Sequence, residues 1–270
     1  MFWSYVKTIF RNISRSKVYF FINIAGLAIG FTVFTLIMLF VLNEFNYDTF
    51  NKKADRIYRV VEIQKLPGTK SQHVAITMPA LAPALKRDFP EVSNTARFIP
   101  WPTVLCRYGD KRFYEDRLSF ADSSIFDIFT FHFIEGDPSK AFEGPYDIVI
   151  DQTTARKYFG DSDPIGQTLN IDAGLADNAF QVTGVIKDFP LNSHLRFNMI
   201  ASFAALESHF LMFRGWISND VVTYVLLKKN SSPGQLLDRL PEFLKTNLPK
   251  NIWSGLEIYL QRLKDIQIPN

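Results

Sequence analysis

The sequence predicts an α+β protein with a single N-terminal transmembrane helix, followed by an extracytoplasmic domain that combines a split β-α-β subdomain with an inserted β-rich subdomain. Three observations support this fold class. Val18 to Leu42 is an uncharged apolar run, and β-α-β patterns occur near residues 50–100 and again near 220–270. Between them, residues 101–219 consist of short apolar runs separated by frequent turns. The β-rich middle is therefore predicted to interrupt one α/β unit.

The apolar run from Val18 to Leu42 is the strongest single signal. At about 1.5 Å per residue it forms a helix of about 38 Å, which exceeds the roughly 30 Å hydrocarbon core of a bilayer. A cleaved signal peptide is the alternative, but its apolar part would be about 7–15 residues long and a small-x-small site would follow. We therefore interpret residues 18–42 as an uncleaved membrane helix.

The charges that flank this run predict its direction. Four basic residues and no acidic residue precede the run: Lys7, Arg11, Arg15 and Lys17. Short basic flanks stay in the cytoplasm, so the N-terminus is predicted to be inside and residues from Asn43 onward outside. Apolar residues recur at helical spacing in residues 1–17, which predicts an amphipathic helix in the cytoplasmic membrane interface.

Within the membrane run, Gly26 and Gly30 form a GxxxG motif, and Asn23 falls on the same helix face. Two glycines one turn apart allow a second helix to approach closely, and an asparagine in this position favours a polar partner over lipid. These three residues predict a packing face for another membrane helix.

Charge and cysteine content exclude some classes of function. Outside the basic N-terminal segment, the chain has 26 basic against 27 acidic residues, so the outer domain lacks the basic footprint of a nucleic-acid-binding protein. Cys106 is the only cysteine, and no disulfide can form within the chain.

Two β-α-β patterns lie at the ends of the outer domain. In each, a β-branched or aromatic run is followed by an amphipathic helix and a second such run. The first pattern comprises Ile57–Ile63, Met78–Phe89 and Thr95–Ile99, and the second comprises Val221–Leu227, a helix opened by Ser232 and Pro233, and Leu256–Leu260. Strands from both patterns are expected to share one sheet.

Turn and capping residues organise the middle of the chain. Gly109 and Asp110 predict a hairpin turn, and Asp122 is predicted to cap a short helix through Phe126. Asp151 is predicted to cap a longer helix that ends at Gly160.

No catalytic, metal or cofactor-binding residue is predicted. The four histidines, which lack the spacing of paired metal ligands, are His73, His132, His194 and His209. Ser193 and His194 follow a proline and are interpreted as loop structure, because adjacency in sequence does not make a catalytic triad. The chain also lacks a Walker A loop, so any ATP must be hydrolysed by another chain.

Several short motifs, in this order, resemble MacB/FtsX-type ABC transporter permeases. They are Asn23-Ile-Ala-Gly-Leu-Ala-Ile-Gly30, Glu44-Phe-Asn-Tyr-Asp48, Arg56-Ile-Tyr-Arg59, Phe89-Pro-Glu-Val92, Phe126-Asp-Ile-Phe129, Ala155-Arg-Lys-Tyr-Phe-Gly160, Asp163-Pro-Ile-Gly166, Val182-Thr-Gly-Val185, Asp188-Phe-Pro and Asn192-Ser-His194. The resemblance covers essentially the whole chain.

The resemblance implies that residues 43–270 form a MacB-like periplasmic core domain. Its porter-like subdomain would comprise about 50–100 and 220–270, and its inserted β-rich subdomain about 101–219. The implied protein is a non-catalytic permease subunit of the inner membrane, or the N-terminal part of one, since such permeases continue into three further membrane helices.

The implied function is to couple cytoplasmic ATP hydrolysis to export or mechanical work in the periplasm. The implied partners are an ATP-binding cassette ATPase, further permease helices or a second permease copy, membrane lipid and a periplasmic adaptor. A single-span anchored module that binds or senses a ligand outside the cytoplasm remains the alternative. An anchored hydrolase is a third class, but the chain lacks a recognisable site for it.

Overall fold

The structure is a computed structural model that describes Trp3 and residues 17–45, 48–65, 68, 70–190 and 192–266. The chain divides into two compact units, Met1–Tyr47 and Asp48–Asn270. Most of the predicted interfacial helix at residues 1–17, with Lys7, Arg11 and Arg15, lies outside the described residues.

The first unit contains one long helix, α1, which spans Lys17–Phe45 and is therefore slightly longer than the predicted run. Its part from Lys17 to Leu42 is the one helix in the described chain that is long and apolar enough to cross a membrane, and none of it is buried. The hydroxyls of Thr32 and Thr35 donate to carbonyl oxygens one turn earlier, at 2.8 Å each, so the helix satisfies these polar groups internally.

The second unit contains thirteen strands and six helices in its described residues. The strands are β1 Ile57–Gln64, β2 Gln72–Val74, β3 Val92–Pro100, β4 Val104–Tyr108, β5 Lys111–Glu115, β6 Leu118–Ala121, β7 Phe133–Gly136, β8 Asp147–Asp151, β9 Thr168–Ile171, β10 Ala179–Ile186, β11 Met199–Ser202, β12 Val222–Leu227 and β13 Leu256–Arg262. The helices are α2 Leu81–Asp88, α3 Ile125–Ile128, α4 Gln152–Phe159, α5 Ala204–His209, α6 Pro233–Asn247 and α7 Lys250–Trp253.

Four strands, in the order β13-β1-β12-β3, form the split β-α-β part of the sheet. β1 lies between β12 and β13 and is antiparallel to both, while β12 is antiparallel to β3. Each β-α-β unit thus places one strand between the two strands of the other unit, as in ferredoxin-like folds. The prediction that the two ends of the domain share one sheet is confirmed.

The sheet continues into the β-rich middle instead of ending at β3. β3 pairs with β6 through Phe98 opposite Ala121 and Ile99 opposite Phe120, and the order then runs β6-β11-β8-β10-β9-β4-β5. The predicted α+β fold with inserted strands is confirmed. The insertion joins the split unit edge to edge in one continuous sheet.

Helices α2 and α6 cover the split unit. Their apolar faces place Leu81, Leu85, Leu240 and Phe243 in one buried cluster with strands β1 and β12, and the Phe89 and Phe243 rings meet edge to face at 5.2 Å. Burying side chains of this size stabilises the fold by about 1.5–3 kcal/mol each. As predicted, Ser232 caps the start of α6 by accepting a hydrogen bond from the Gly234 backbone N–H.

The helix predicted at Asp151 is also confirmed. The Asp151 carboxylate accepts a 2.7 Å hydrogen bond from the Thr154 N–H at the start of α4, and Gly160 ends the helix with φ of 64°. Only glycine adopts such a backbone without strain. Tyr158 on this helix is fully buried, and its hydroxyl donates to Glu115 at 2.6 Å.

The predicted cap at Asp122 is wrong. α3 begins after Ser124 without any side-chain cap, and Asp122 instead binds the guanidinium of buried Arg97, with Nη2 at 2.7 Å and Nε at 2.9 Å. Nη1 of the same guanidinium donates a hydrogen bond to Glu207 at 2.6 Å. Leaving a buried guanidinium unpaired destabilises a fold far more than leaving a single-turn helix without a cap. Asp122 therefore pairs with Arg97.

Candidate functional site

A network of hydrogen bonds holds the first residues of the described domain, from Asp48 to Lys52. In the sequence, only Asn46 and Tyr47 separate Asp48 from the last residue of α1. Asp48 is 1% exposed and has a φ of 55°, a left-handed conformation that aspartate adopts more readily than most residues. Its backbone N–H donates to the Asn192 carbonyl at 2.9 Å.

The Asp48 carboxylate is held by the loop that contains Ser193 and His194. Oδ2 lies 2.7 Å from Nδ1 of His194, and Oδ1 accepts from the Ser193 hydroxyl at 3.2 Å and from the His194 backbone N–H at 3.3 Å. Since a carboxylate only accepts hydrogen bonds, Nδ1 of His194 carries the proton. The charge is thus satisfied by several donors inside the protein.

His194 connects this carboxylate to the sheet. Its Nε2 lies 2.8 Å from the hydroxyl oxygen of Tyr224, which belongs to β12 and is buried. Desolvation raises the pKa of the Tyr224 hydroxyl. The positive charge of Arg59 opposes this increase and the negative charge of Asp48 adds to it, so the hydroxyl keeps its proton. The Phe129 ring packs edge to face on Tyr224 at 4.9 Å and lies 5.9 Å from the His194 ring.

A second set of bonds fixes the same segment to the loop after α3. Oδ1 of Asn51 accepts from the Thr130 N–H at 3.0 Å, and the Lys52 N–H donates to the Thr130 hydroxyl at 3.0 Å. Asn51 also donates to the Asp48 carbonyl at 3.2 Å. We call Asp48, Asn51, His194 and Tyr224 the entry cluster, because it fastens the first residues of the domain to two loops and to a central strand.

The entry cluster does not have the geometry of a catalytic triad. In a triad the nucleophile faces the imidazole nitrogen opposite the acid, but here Ser193 bonds to Asp48 and Nε2 of His194 faces Tyr224. Asp48, Ser193 and Tyr224 are also buried. The cluster is suited to holding structure together.

The sequence-based interpretation of Ser193 and His194 as ordinary loop residues was incomplete. They lie in a loop, but their side chains form the centre of this cluster. His194 and Asp48 are 146 positions apart, so no local spacing indicates their contact. The available signal was that both residues belong to the motifs that carry the family resemblance.

The predicted packing residues of the membrane helix lie on an uncovered face. Asn23, Gly26 and Gly30 are exposed on α1, and a side chain built at either glycine would meet no atom within 4 Å. Lys17 opens the helix and is exposed. The predicted contact with another helix, and the cytoplasmic interface of Lys7, Arg11, Arg15 and Lys17, stay predictions.

Reactive groups are scarce in the described part of the chain. No cluster of three or more histidine, cysteine, aspartate or glutamate side chains there could hold a metal ion. Cys106 is buried in the core, and desolvation raises the pKa of its thiol to about 12, which makes it unreactive.

One long apolar helix before a sheet-rich domain is the architecture of a membrane-anchored protein. Residues 20–243 match the MacB-like periplasmic core domain, and the chain belongs to this family of ABC-type transporter permease domains. The resemblance seen in the sequence motifs is thereby confirmed. Among curated proteins, none matches the chain.

Solved structures share the fold. A domain of a putative permease protein from Porphyromonas gingivalis is 24% identical, with a TM-score of 0.67, and the match covers 78% of this chain and 92% of that one. The periplasmic region of MacB from Actinobacillus actinomycetemcomitans is 14% identical, with a TM-score of 0.55 and coverage of 82% and 92%. The extracellular domain of the noncanonic ABC-type transporter YknZ from Gram-positive bacteria is 16% identical, with a TM-score of 0.54 and coverage of 75% and 99%.

Proposed function

We propose that this chain is a permease subunit, or the N-terminal part of one, of an ABC transporter that couples cytoplasmic ATP hydrolysis to export or mechanical work in the periplasm. The chain itself is non-catalytic, and a separate ATP-binding cassette subunit supplies the energy. It lies in the inner membrane with its N-terminus in the cytoplasm and most of its residues in the periplasm.

The entry cluster is the observation that carries this proposal. A movement of α1 reaches the domain through Asp48, which follows the helix after only two residues in the sequence. Asp48 is bonded to His194, and His194 to Tyr224 on β12, a strand with sheet partners on both sides. A loosely held first residue of the domain would absorb such a movement, whereas the buried and multiply bonded Asp48 passes it to the loop and the strand.

The uncovered face of α1 supports the need for partners. Asn23, Gly26 and Gly30 suit a second helix, from further permease helices or from a second permease copy. Membrane lipid surrounds the rest of the helix, and a periplasmic adaptor is a further partner of the outer domain.

Association is tested by pull-down in detergent with the ATPase and permease chains encoded beside this one. The wild type is expected to recover both partners. Replacing Gly26 and Gly30 together with leucine should reduce recovery of the permease partner at least about five-fold, because leucine inserts well but blocks close approach. Replacing Ala28 with leucine is the matched control, because Ala28 lies on the opposite face of the same helix. Equal recovery with the leucine variant would contradict the packing face.

Coupling is tested with a dye on the outer domain and a quencher on the lipid headgroups. Lys140→Cys offers a labelling site, since Lys140 is exposed and Cys106 is buried. In the reconstituted complex, ATP should change the quenching of the dye. The change should shrink at least about two-fold in Asp48→Asn, while Asp55→Asn, an exposed carboxylate of the same domain, should preserve it.

Two results would count against the proposal. One is wild-type quenching that ignores ATP although the ATPase is bound and active. The other is failure to recover any ATPase, which would favour the alternative, a single-span module that binds or senses a ligand.

A further inference from the structure

A groove of about 630 Å³ lies at the other end of β1 from the entry cluster. Glu62 and Gln64 of β1 form one wall, Trp216, Ile217 and Asn219 form the second, and a third is formed by Asn251, Ile252, Ser254, Gly255 and Leu256. This volume falls within the roughly 300–1,000 Å³ of small-molecule sites in proteins. The groove shares no residue with the entry cluster.

Glu62 is the unusual residue of this groove. It is 1% exposed, on the face of β1 that also carries Tyr58 and Val60, and it has no basic partner among the described residues. Oε2 accepts from Asn219 at 2.6 Å and from Gln64 at 3.2 Å, whereas the buried Oε1 makes no hydrogen bond in the described structure. The nearby basic residue, Lys65, pairs with exposed Glu257 instead.

A buried carboxylate of this kind is unfavourable without a compensating charge. Desolvation raises the pKa of Glu62, an effect that the hydrogen bonds from Gln64 and Asn219 and the nearby backbone N–H of Met78 oppose only in part. A proton or a bound cation relieves this cost.

Acceptor atoms in the groove lining and in the residues that flank Asn219 in the sequence favour a ligand that donates hydrogen bonds. Besides Oε1 of Glu62, the described structure leaves Oγ of Ser218 and Oδ2 of Asp220 buried and without a hydrogen bond. All three atoms can accept, and Ser218 and Asp220 belong to the segment that carries Asn219. A primary ammonium offers three donors around one charge, which matches an excess of acceptors.

Apolar side chains line much of the rest of the groove, beside Lys65, Asn251 and Ser254. Met78, Trp216 and Ile252 line the groove, and the Ile217 side chain on its rim is 95% exposed. An exposed aliphatic side chain beside a partly buried tryptophan is suited to contact with an apolar ligand body.

We propose that this groove binds a primary ammonium group carried on an apolar body, with the ammonium at Glu62 and the body against Met78, Trp216 and Ile217. A guanidinium fits less well, because Oε2 already accepts two amide hydrogen bonds and a bidentate contact needs both oxygens. The inference goes beyond the proposed transport function and requires no ATPase.

The test uses 4-phenylbutylamine and its neutral isostere 4-phenylbutan-1-ol as probes. Isothermal titration of the full chain in lipid nanodiscs, with empty nanodiscs as the blank, gives both affinities. The wild type should bind the amine at least about ten-fold more tightly than the alcohol. Glu62→Gln should abolish this preference, while Glu257→Gln, which removes a nearby exposed carboxylate, should retain it.

A second variant keeps the proposal testable if Glu62→Gln does not fold. Ile217→Ser removes apolar contact at an almost fully exposed position, so folding should be unaffected. It should weaken both probes by a similar factor of about three or more and preserve their ratio. Equal affinities of the wild type for amine and alcohol, a preference that survives in folded Glu62→Gln, or unchanged binding in Ile217→Ser would each overturn the proposal.

Discussion

Nδ1 of His194 lies 2.7 Å from Oδ2 of Asp48, and through this contact the start of the domain is joined to a loop 146 positions later in the chain. Nε2 of the same ring continues the connection to Tyr224. One imidazole therefore joins a segment, a loop and a strand, and removal of any member leaves buried polar atoms without partners.

Asp48→Asn is expected to lower the free energy of unfolding by about 1–3 kcal/mol, because buried donors lose a charged acceptor. Asparagine tolerates the left-handed backbone of Asp48, so the loss reports the charge and not strain. Urea unfolding of the full chain in detergent, followed by tryptophan fluorescence, measures it. Asp55→Asn, in an exposed ion pair with Lys264, should leave the stability essentially unchanged. Equal losses in the two variants would refute a structural role for the buried carboxylate.

The double mutant of Asp48→Asn and His194→Gln measures their coupling. The two losses should be less than additive by about 1 kcal/mol or more, because each variant already breaks the shared hydrogen bond. Combining Asp48→Asn with Asp151→Ala, in a separate site, should give additive losses. Strict additivity in the first pair would show that the 2.7 Å contact contributes no stability of its own.

Asp151→Ala should destabilise the domain by about 0.5–2 kcal/mol, because the first turn of α4 loses its cap. Asp151→Asn retains a side-chain acceptor and should lose less. Asp137→Ala provides the control, since Asp137 caps only an exposed 3₁₀ turn. Equal losses of stability in Asp151→Ala and Asp137→Ala would show that burial and helix length do not affect how much a cap contributes to stability.

Glu62 should make stability fall as pH rises. Desolvation raises the pKa of Glu62 in the folded domain above its ordinary value of 4.5. The folded state therefore holds this proton more tightly than the unfolded state. Its stabilising effect is complete below the unfolded pKa and is lost as pH rises through the folded one. The unfolding free energy of Glu62→Gln minus that of wild type should increase from about pH 4 to about pH 8. A difference that does not change with pH would be evidence against the raised pKa.

Fusion of alkaline phosphatase after Asn270 should give an active enzyme, since the basic N-terminal flank predicts that the C-terminal side is outside the cytoplasm. A cytoplasmic reporter fused at the same place should be inactive. The reverse pattern of activities would overturn the proposed orientation.

The elements that sequence patterns revealed share clear local signals. β1 and β12 are long β-branched runs, and α6 opens with Ser232 and Pro233. The strands that were missed, β6 and β11, are four residues long and entirely buried, so they lack the alternation that identifies a strand. β7 is short and mostly exposed and has no apolar period at all.

The functional contacts were less accessible to sequence reasoning than the fold. Asp48 and His194 meet only because the fold brings together residues that are 146 positions apart. No local sequence pattern indicates a contact between residues so far apart. Asp122 was predicted to be a helix cap because it lies just before a short helix. Its buried partner Arg97 lies on β3, and no sequence pattern indicated their contact. The Glu62 groove did leave a trace, because a charged residue at an apolar-facing strand position departs from the pattern of Tyr58 and Val60.

The neighbouring positions of β1 and β13 bear on how such a domain is accommodated in longer chains. Tyr58, near the start of β1, is paired with Arg262 at the end of β13, so the first and last strands of the domain begin and end one strand spacing apart, about 5 Å between Cα atoms. A domain with such closely spaced ends can be inserted between two segments without forcing them apart. Such a module can therefore be grafted into a chain or exchanged while the spacing of the two segments that it joins stays the same.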